Sequence, residues 1–316
     1  MSDSKSSNPL DITSIAAELM TIRDVIRWGV SHFDEAGLFY GHGMANALDE
    51  AVFIALSTLN LPLNITETYF DSRLTLVERE KVLALYQRRI IERIPAAYLT
   101  HEAWFAGLKF YVDENVLVPR SPIAELIENR FEPWIEQENV NRVLDLCSGS
   151  GCIGIACAYA FEWAEVDLAD ISPAAIEIAK HNITNHQLEE QVTVYKSDLF
   201  SALKGMKYDI IVSNPPYVDA VDMSILPEEF KQEPELGLAA GKDGLDLVKV
   251  ILKQAANYLN PNGILVVEVG NSQHALEELL PEVGFYWLDF ERGGDGIFLL
   301  TYEQLIYYQQ YFSNLD

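Results

Sequence analysis

The tetrapeptide Asn214-Pro215-Pro216-Tyr217 is the stretch of this sequence best equipped for chemistry. It follows Tyr208-Asp209-Ile210-Ile211-Val212-Ser213, a short apolar run that reads as a buried strand of a parallel sheet. Two consecutive prolines cannot continue a ladder, so the strand must stop there. Asn214, standing before a proline, is pushed toward an extended conformation. The expected result is a rigid turn at the carboxyl end of a strand, the edge where open α/β sheets bind ligands. The Asn214 side-chain oxygen and the Pro215 carbonyl offer two acceptors, which match the two N–H donors of a planar NH₂ group. Tyr217 can lie against the flat face of such a group. Its nitrogen lone pair is delocalised, so fixing both N–H groups holds the nitrogen against an electrophile and favours a more positive transition state. The same four residues also fit an ordinary surface turn with a satisfied asparagine. The rest of the chain must decide.

From Val140 the sequence alternates strand and helix. Val143 to Leu146 is a strand, and Ser148 to Gly154 turns into a helix. Val166 to Ala169 is a strand ending at Asp170, with a helix from Pro173 to about Ile183. Val192 to Tyr195 is a strand ending near Ser197-Asp198, and the next carries the Asn-Pro-Pro-Tyr turn. Leu245 to Tyr258 reads as a helix and Gly263 to Val269 as a fifth strand. Phe285 to Phe290 and Ile297 to Thr301 read as two strands about Gly293-Gly294-Asp295-Gly296, suited to an antiparallel edge. Repeated strand–helix units predict an α/β fold, a doubly wound and mostly parallel sheet.

The spacing Gly149-x-Gly151-x-x-Gly154 matches the dinucleotide fingerprint, with Asp170 at a ribose-binding distance. Asp145 argues against a dinucleotide, because a carboxylate just before the loop would face the pyrophosphate. It suits a cationic ligand carrying an amino group and a sulfonium. Asp170 would then take ribose hydroxyls and Asp198 an adenine amine. Three acidic strand ends in a row fit S-adenosylmethionine better than NAD. A nicotinamide enzyme would also need a proton-transfer residue near these strand ends, and His101, His181, His186 and His274 fall in helices or loops with no evident partner.

Residues 11 to about 95 carry helical periodicity instead. Ile12, Ile15, Ala16, Leu19 and Ile22 share a face that Val25, Ile26 and Trp28 continue. A second helix runs from Ala47 to Leu59, and Thr75 with Glu78 forms a capping box opening a third, which runs toward Pro95. Structural or surface roles are expected of His32 and His42. Trp104 to Val118 reads as a small β-hairpin, and Ile123 to Trp134 resumes helix. Arg120, in Val118-Pro119-Arg120-Ser121-Pro122, could orient a carboxylate or clamp the active turn; a plain surface role is the alternative.

The 316 residues carry 22 basic and 48 acidic side chains, a net charge of −26. This works against duplex nucleic acid, which needs clustered Lys and Arg, and suits encounter with a basic protein. No apolar run approaches the roughly 20 residues of a membrane span, so no membrane partner is expected. The amino end, Met1 to Asn8, is polar, lacks the apolar core of a signal peptide and is expected to be a loose tail in a cytoplasmic protein. Cys147, Cys152 and Cys157 lack disulfide or metal spacing and read as buried reduced thiols; no metal is expected.

Asp145-Leu146-Cys147-Ser148-Gly149-Ser150-Gly151, Asp170, Ser197-Asp198 and Asn214-Pro215-Pro216-Tyr217 together resemble the class I S-adenosylmethionine-dependent methyltransferases of amino groups. Two branches carry this tetrapeptide: adenine methyltransferases of DNA and the HemK-like protein-glutamine methyltransferases. A helical amino-terminal bundle, a hairpin and a Val-Pro-Arg segment occur here in the order of the second, so that resemblance covers nearly the whole chain. It implies a helical substrate-recognition domain at 1–95, a hairpin linker at 96–120 and a Rossmann-like domain with a seven-stranded sheet at 121–316. The release-factor enzymes of this family usually have Pro-Arg-Pro-Asp-Thr-Glu where this chain has Pro119-Arg120-Ser121-Pro122-Ile123-Ala124-Glu125. With Arg27-Trp28-Gly29, the Gly37–Gly43 segment, Ile94 to Thr100 and Gly293-Gly294-Asp295-Gly296, the chain is similar to the branch that methylates a glutamine of the third large-subunit ribosomal protein. Cys147 departs from the glycine usual at its position.

The resemblance implies S-adenosyl-L-methionine bound by Asp145, Cys147, Ser148, Gly149, Ser150, Gly151, Asp170, Ile171, Asp198, Leu199 and Asn214. Asn214, Pro215 and Tyr217 would be catalytic, and Pro216 and Arg120 would join them in binding substrate. Glu268 and Asn271, at the end of the fifth strand, are candidates for a supporting layer. The partner implied is a basic ribosomal protein, with no DNA. An adenine methyltransferase, a release-factor enzyme and a non-catalytic ribosome assembly factor remain as alternatives.

Overall fold

A computed structural model describes residues 11–315 and divides into two compact units. The polar segment Met1 to Asn8, expected to be a loose tail, lies outside the described residues. One unit ends at Glu102 and also takes in Pro227–Gln232; the other comprises Ala103–Leu226 and the chain from Glu233 onward.

The first unit is helical: α1 (Ile12–Glu18), α2 (Ile22–Glu35), α3 (Ala47–Thr58), α4 (Leu76–Glu92) and the short α5 (Ala96–Thr100). The face from Ile12 to Trp28 is not one helix. It breaks at Leu19, and Thr21 restarts it through a capping box with Asp24, whose carboxylate accepts from the Thr21 N–H at 2.9 Å. The box expected at Thr75 and Glu78 opens α4. Ala16, Val25, Phe33, Ala51, Ile54, Val82 and Tyr86 form the core. Within it Arg89 is buried, donating to Glu50 at 2.6 Å, to the Phe39 carbonyl at 2.9 Å and to Glu229 of the 227–232 segment at 3.3 Å.

The second unit opens with the hairpin β1 (Ala103–Phe105) and β2 (Leu108–Phe110). The helix expected from Ile123 to Trp134 is shorter: α6 covers Ile123–Glu128. Arg130 and Phe131 then take left-handed φ values of 50° and 58°, which a helix cannot accommodate, and Phe131 is buried in the core.

Beyond it lie β3 (Arg142–Leu146), α7 (Cys152–Ala160), β4 (Glu165–Asp170), α8 (Pro173–His186), β5 (Val192–Lys196) and β6 (Tyr208–Ser213). They are followed by α9 (Ala220–Ile225), α10 (Asp246–Gln254), β7 (Leu259–Glu268), α11 (Gln273–Leu279), β8 (Tyr286–Trp287) and β9 (Ile297–Thr301). Two short helices after β9, α12 (Tyr302–Tyr307) and α13 (Gln309–Phe312), have no counterpart in the sequence reading. The strands form a seven-stranded sheet in the order β5-β4-β3-β6-β7-β9-β8, parallel except at β9, which runs antiparallel to both neighbours. This is a Rossmann-like sheet, with the antiparallel edge the sequence suggested.

Alternation along the strands divides the core. Val143, Leu168, Ile210, Val212 and Val266 pack on one face with α6 and α7, while Leu144, Leu146, Ile211, Leu265 and Val267 pack on the other with α10. Covering both faces is what makes each parallel strand read as an uninterrupted apolar run. The chain leaves β3 toward β4 and β5, then returns to place β6 on β3's other side. The carboxyl ends of β3 and β6 therefore frame a topological switch point, where such sheets open a crevice.

Candidate active site

Leu146 pairs with Ser213 in the β3–β6 ladder, so one residue further on Cys147 and Asn214 stand side by side at the switch point. The Ser213 hydroxyl donates to the Leu146 carbonyl at 2.7 Å and ties the two strand ends together. At Cys147 the chain turns sharply, with φ at 63°. That left-handed geometry explains why glycine is usual there, and cysteine holds it because its N–H donates to the Ala169 carbonyl at 2.9 Å. The three cysteines are free thiols, and burial pushes that of Cys152 up to about 12, so none is poised as a nucleophile at neutral pH.

The loop from Ser148 to Gly151 then leads into α7. Gly154 follows one turn in, where a Cβ would stand 2.1 Å from the Leu168 side chain and 3.1 Å from that of Asp145; only glycine lets α7 sit this close to β3 and β4. Asp145 is fully buried, and its Oδ2 accepts from the Gly154 N–H at 2.8 Å. Its Oδ1 has no hydrogen-bond partner among the described residues. Burial pushes this carboxyl up to about 7, with the Asp170 charge adding to the effect. Asp170 braces the loop, accepting from the Gly149 N–H and the Ser172 N–H at 2.8 Å each. Burial raises its carboxyl as well. Ile171 beside it is half exposed, Leu199 is buried with φ at 45°, and Asp198 is exposed at the end of β5. The Ser150 carbonyl accepts from Asn182 at 2.9 Å.

Across the crevice, Pro215 and Pro216 are buried and Asn214 and Tyr217 half-buried. The Asn214 Oδ1 is enclosed yet has no hydrogen-bond partner among the described residues, and so is Ser148 Oγ. Buried polar atoms are rarely left unpaired, which makes these two acceptors candidates for ligand contacts. Tyr217 is held from three sides. Its hydroxyl donates to Glu268 Oε1 at 3.0 Å, its carbonyl accepts from the Ser272 hydroxyl at 2.8 Å, and its ring lies over Gly270. Glu268 is buried, takes a second hydrogen bond from Ser121 Oγ at 2.5 Å, and has its carboxyl raised by that burial.

Arg120 is held on the protein itself. Its guanidinium forks onto Glu233 at 2.6 and 2.9 Å, and Glu233 also accepts from the Val118 N–H at 3.0 Å. Asn271 is exposed and donates to Asp222 at 3.4 Å. Sequence reasoning did not find Glu233, Ser272 or Gly270, which belong to no spaced pattern. Ser121 is marked in the sequence only by its departure from Pro-Arg-Pro. Among the described residues no group of three or more His, Cys, Asp or Glu side chains could hold a metal ion, and no helix is long and apolar enough to cross a membrane.

Comparison with known proteins adds to this geometry. The Methyltransferase small domain family matches residues 131–234. A Francisella tularensis protein named ribosomal protein uL3 glutamine methyltransferase is 50% identical over 300 residues, 95% of this chain and 96% of its own. The chain belongs to the ribosomal protein uL3 glutamine methyltransferase family. The family member of Neisseria gonorrhoeae is 53% identical over 293 residues, 92% of this chain and 97% of its own. Among solved structures, the human Mettl16 catalytic domain in complex with a MAT2A 3′UTR hairpin aligns with 71% of this chain and 80% of its own, at 17% identity and a TM-score of 0.48. The match to the uL3 glutamine methyltransferase family runs along nearly the whole chain, the helical unit included.

Proposed function

We propose that this chain methylates the side-chain amide nitrogen of a glutamine in the large-subunit ribosomal protein uL3, using S-adenosyl-L-methionine. The observation that carries the reading is the buried, unpartnered Asn214 Oδ1 at the carboxyl end of β6, next in the ladder to the glycine-rich loop that leaves β3. The crevice residues fit the cofactor: a buried unpartnered carboxylate oxygen at Asp145, an unpartnered hydroxyl at Ser148, and Asp198 exposed at the next strand end. When bound, S-adenosyl-L-methionine supplies an electrophilic methyl group on a sulfonium.

On this reading Asp145, Cys147, Ser148, Gly149, Ser150 and Gly151 hold the methionine portion, Asp170 and Asp198 the ribose and adenine, and Ile171 and Leu199 flank the base. Asn214 Oδ1 accepts one amide N–H of the target glutamine and the Pro215 carbonyl the other, with Pro216 fixing the turn and Tyr217 against the amide plane. Two fixed acceptors favour the transition state, in which the nitrogen becomes tetrahedral and its N–H groups more acidic. No strong base is required, because the alkylated amide loses its extra proton to water. Arg120 acts by clamping Glu233 and the segment that leads to it. The helical unit recognises the ribosomal protein, and the −26 net charge draws a basic substrate in the cytoplasm.

The test is a panel of purified acceptors offered with methyl-labelled S-adenosylmethionine: uL3, release factors and adenine-containing DNA. Label in uL3 alone supports the reading. Label in release factor keeps the chemistry and overturns the substrate; label in DNA overturns both.

A further inference from the structure

Tyr217 is fixed more firmly than packing an amide requires, and its fixing centres on Glu268. Glu268 closes β7, pairing with Ile297 in the sheet, and next to it Val269 and Gly270 both donate N–H groups to the Gly296 carbonyl, at 2.7 and 3.2 Å. The Gly296 carbonyl thus supports the floor beneath the tyrosine ring. On that floor the two oxygens of Glu268 are shared out: one takes the Tyr217 hydroxyl and the other the Ser121 hydroxyl. Ser121 Oγ also accepts from the Ile123 N–H at 3.2 Å, which leaves its single hydrogen for the carboxylate. Burial raises this carboxyl, and against that the two hydroxyl donors and the nearby Arg120 charge favour its ionised, acceptor-only form.

A tyrosine whose O–H points at a carboxylate has a more electron-rich ring. Its face is the negative end of the ring quadrupole and attracts a cation lying over it. Positive charge grows on the amide nitrogen only as the methyl group arrives, so a ring enriched in this way stabilises the transition state more than the bound amide. We propose that Glu268 is a positioning residue for methyl transfer, acting through Tyr217: its charge holds the phenol and enriches the ring face presented to the reacting nitrogen, while Ser121 keeps the carboxylate in place. The inference rests on the glutamine-methylation reading above. It also gives Ser121 a task that a proline at that position, lacking a hydroxyl, could not perform.

The test compares wild type, E268Q, Y217F, the double variant and S121A in methyl transfer to uL3 across pH 5 to 9, with S-adenosylmethionine binding measured separately. E268Q keeps the shape and removes the charge. Its kcat is expected to fall about tenfold or more while cofactor affinity and KM stay within about threefold, as for a contact made mainly in the transition state. Wild type should lose kcat on the acid side as Glu268 takes a proton, and E268Q should lack that limb. S121A removes one donor to the ionised form, so its acid limb should move to higher pH. The double variant should be no slower than the slower single one. An active wild type beside an E268Q with the same kcat and the same pH profile overturns this inference alone. A wild type that does not label uL3 overturns the functional reading and this inference with it. Should E268Q fail to fold, the S121A pH shift decides in the same way: an unmoved acid limb sinks the proposal.

Discussion

Replacing Gly270 by alanine separates the seating of Tyr217 from everything else in the site. A Cβ at Gly270 would stand 2.5 Å from one ring carbon of Tyr217 and 2.9 Å from the next, where ordinary contact begins at 3.4 Å. The ring must therefore retreat by about 1 Å, and a displacement of that size at a reacting centre costs about 100-fold. The backbone adds a second, smaller effect, because φ at Gly270 is 45° and alanine in the left-handed region costs about 1–2 kcal/mol. Gly293 supplies the control: its φ is 82°, but nothing lies within 4 Å of a Cβ there. Gly293→Ala should thus show a small loss of thermal stability and normal turnover. Single-turnover methyl transfer to uL3, with cofactor affinity measured by calorimetry, reads both variants. Gly270→Ala should be slower by about two orders of magnitude with cofactor affinity changed less than about threefold. If it transfers methyl groups within threefold of wild type, the ring's position does not matter and the proposed role of Tyr217 falls.

Asp145→Asn tests the buried carboxyl, raised from 3.8 to about 7 in the folded chain. Between about pH 4 and 7 the folded state holds a proton that the unfolded state has released, so this group costs stability as pH rises through that window. The variant should therefore melt above wild type at pH 8, with the gap closing toward pH 4, and should bind S-adenosylmethionine more weakly; parallel pH profiles of melting temperature would refute the assignment. Arg89→Ala strands the buried carboxylate of Glu50 in the helical unit, while Glu229 keeps Arg93 and the Phe39 N–H, and should cost about 3–5 kcal/mol in denaturant unfolding. A loss under 1 kcal/mol would mean that water relieves the cluster. Arg120→Lys cannot reproduce the two-pronged contact with Glu233 and should behave nearly as Arg120→Ala, raising KM for uL3 and sparing cofactor binding. Full recovery by lysine would reduce the clamp to simple charge.

How much of this was legible in the sequence follows from the range of the interactions. The alternating strands and helices, the capping box at Thr75 and the turn after β6 rest on neighbours a few residues apart, and composition and spacing carry that information. Asp145 stood out because a carboxylate before a glycine-rich loop is chemically odd. Its structural half was hidden, since the Gly154 N–H that occupies one oxygen is brought close only when α7 folds back on β3. Arg120 and Glu233 lie 113 residues apart, and neither belongs to a repeating pattern, so a lone arginine read as a surface or substrate group. Gly270 is a single glycine whose value depends wholly on the ring above it. The helix expected through Trp134 failed for a tertiary reason: burying Phe131 fixes a backbone that helical periodicity cannot anticipate.

On the proposed mechanism the turn at Asn214 presents a glutamine amide of uL3 for methylation. The most direct measurement takes ribosomal material from cells lacking this gene, treats it with labelled S-adenosylmethionine and either wild type or Asn214→Ala, and maps the label by mass spectrometry. Wild type should label one glutamine in uL3, and Asn214→Ala should label it slower by about 100-fold or more, as for loss of one preorganised contact. Label on another residue type, or equal labelling by the two enzymes, would contradict that mechanism.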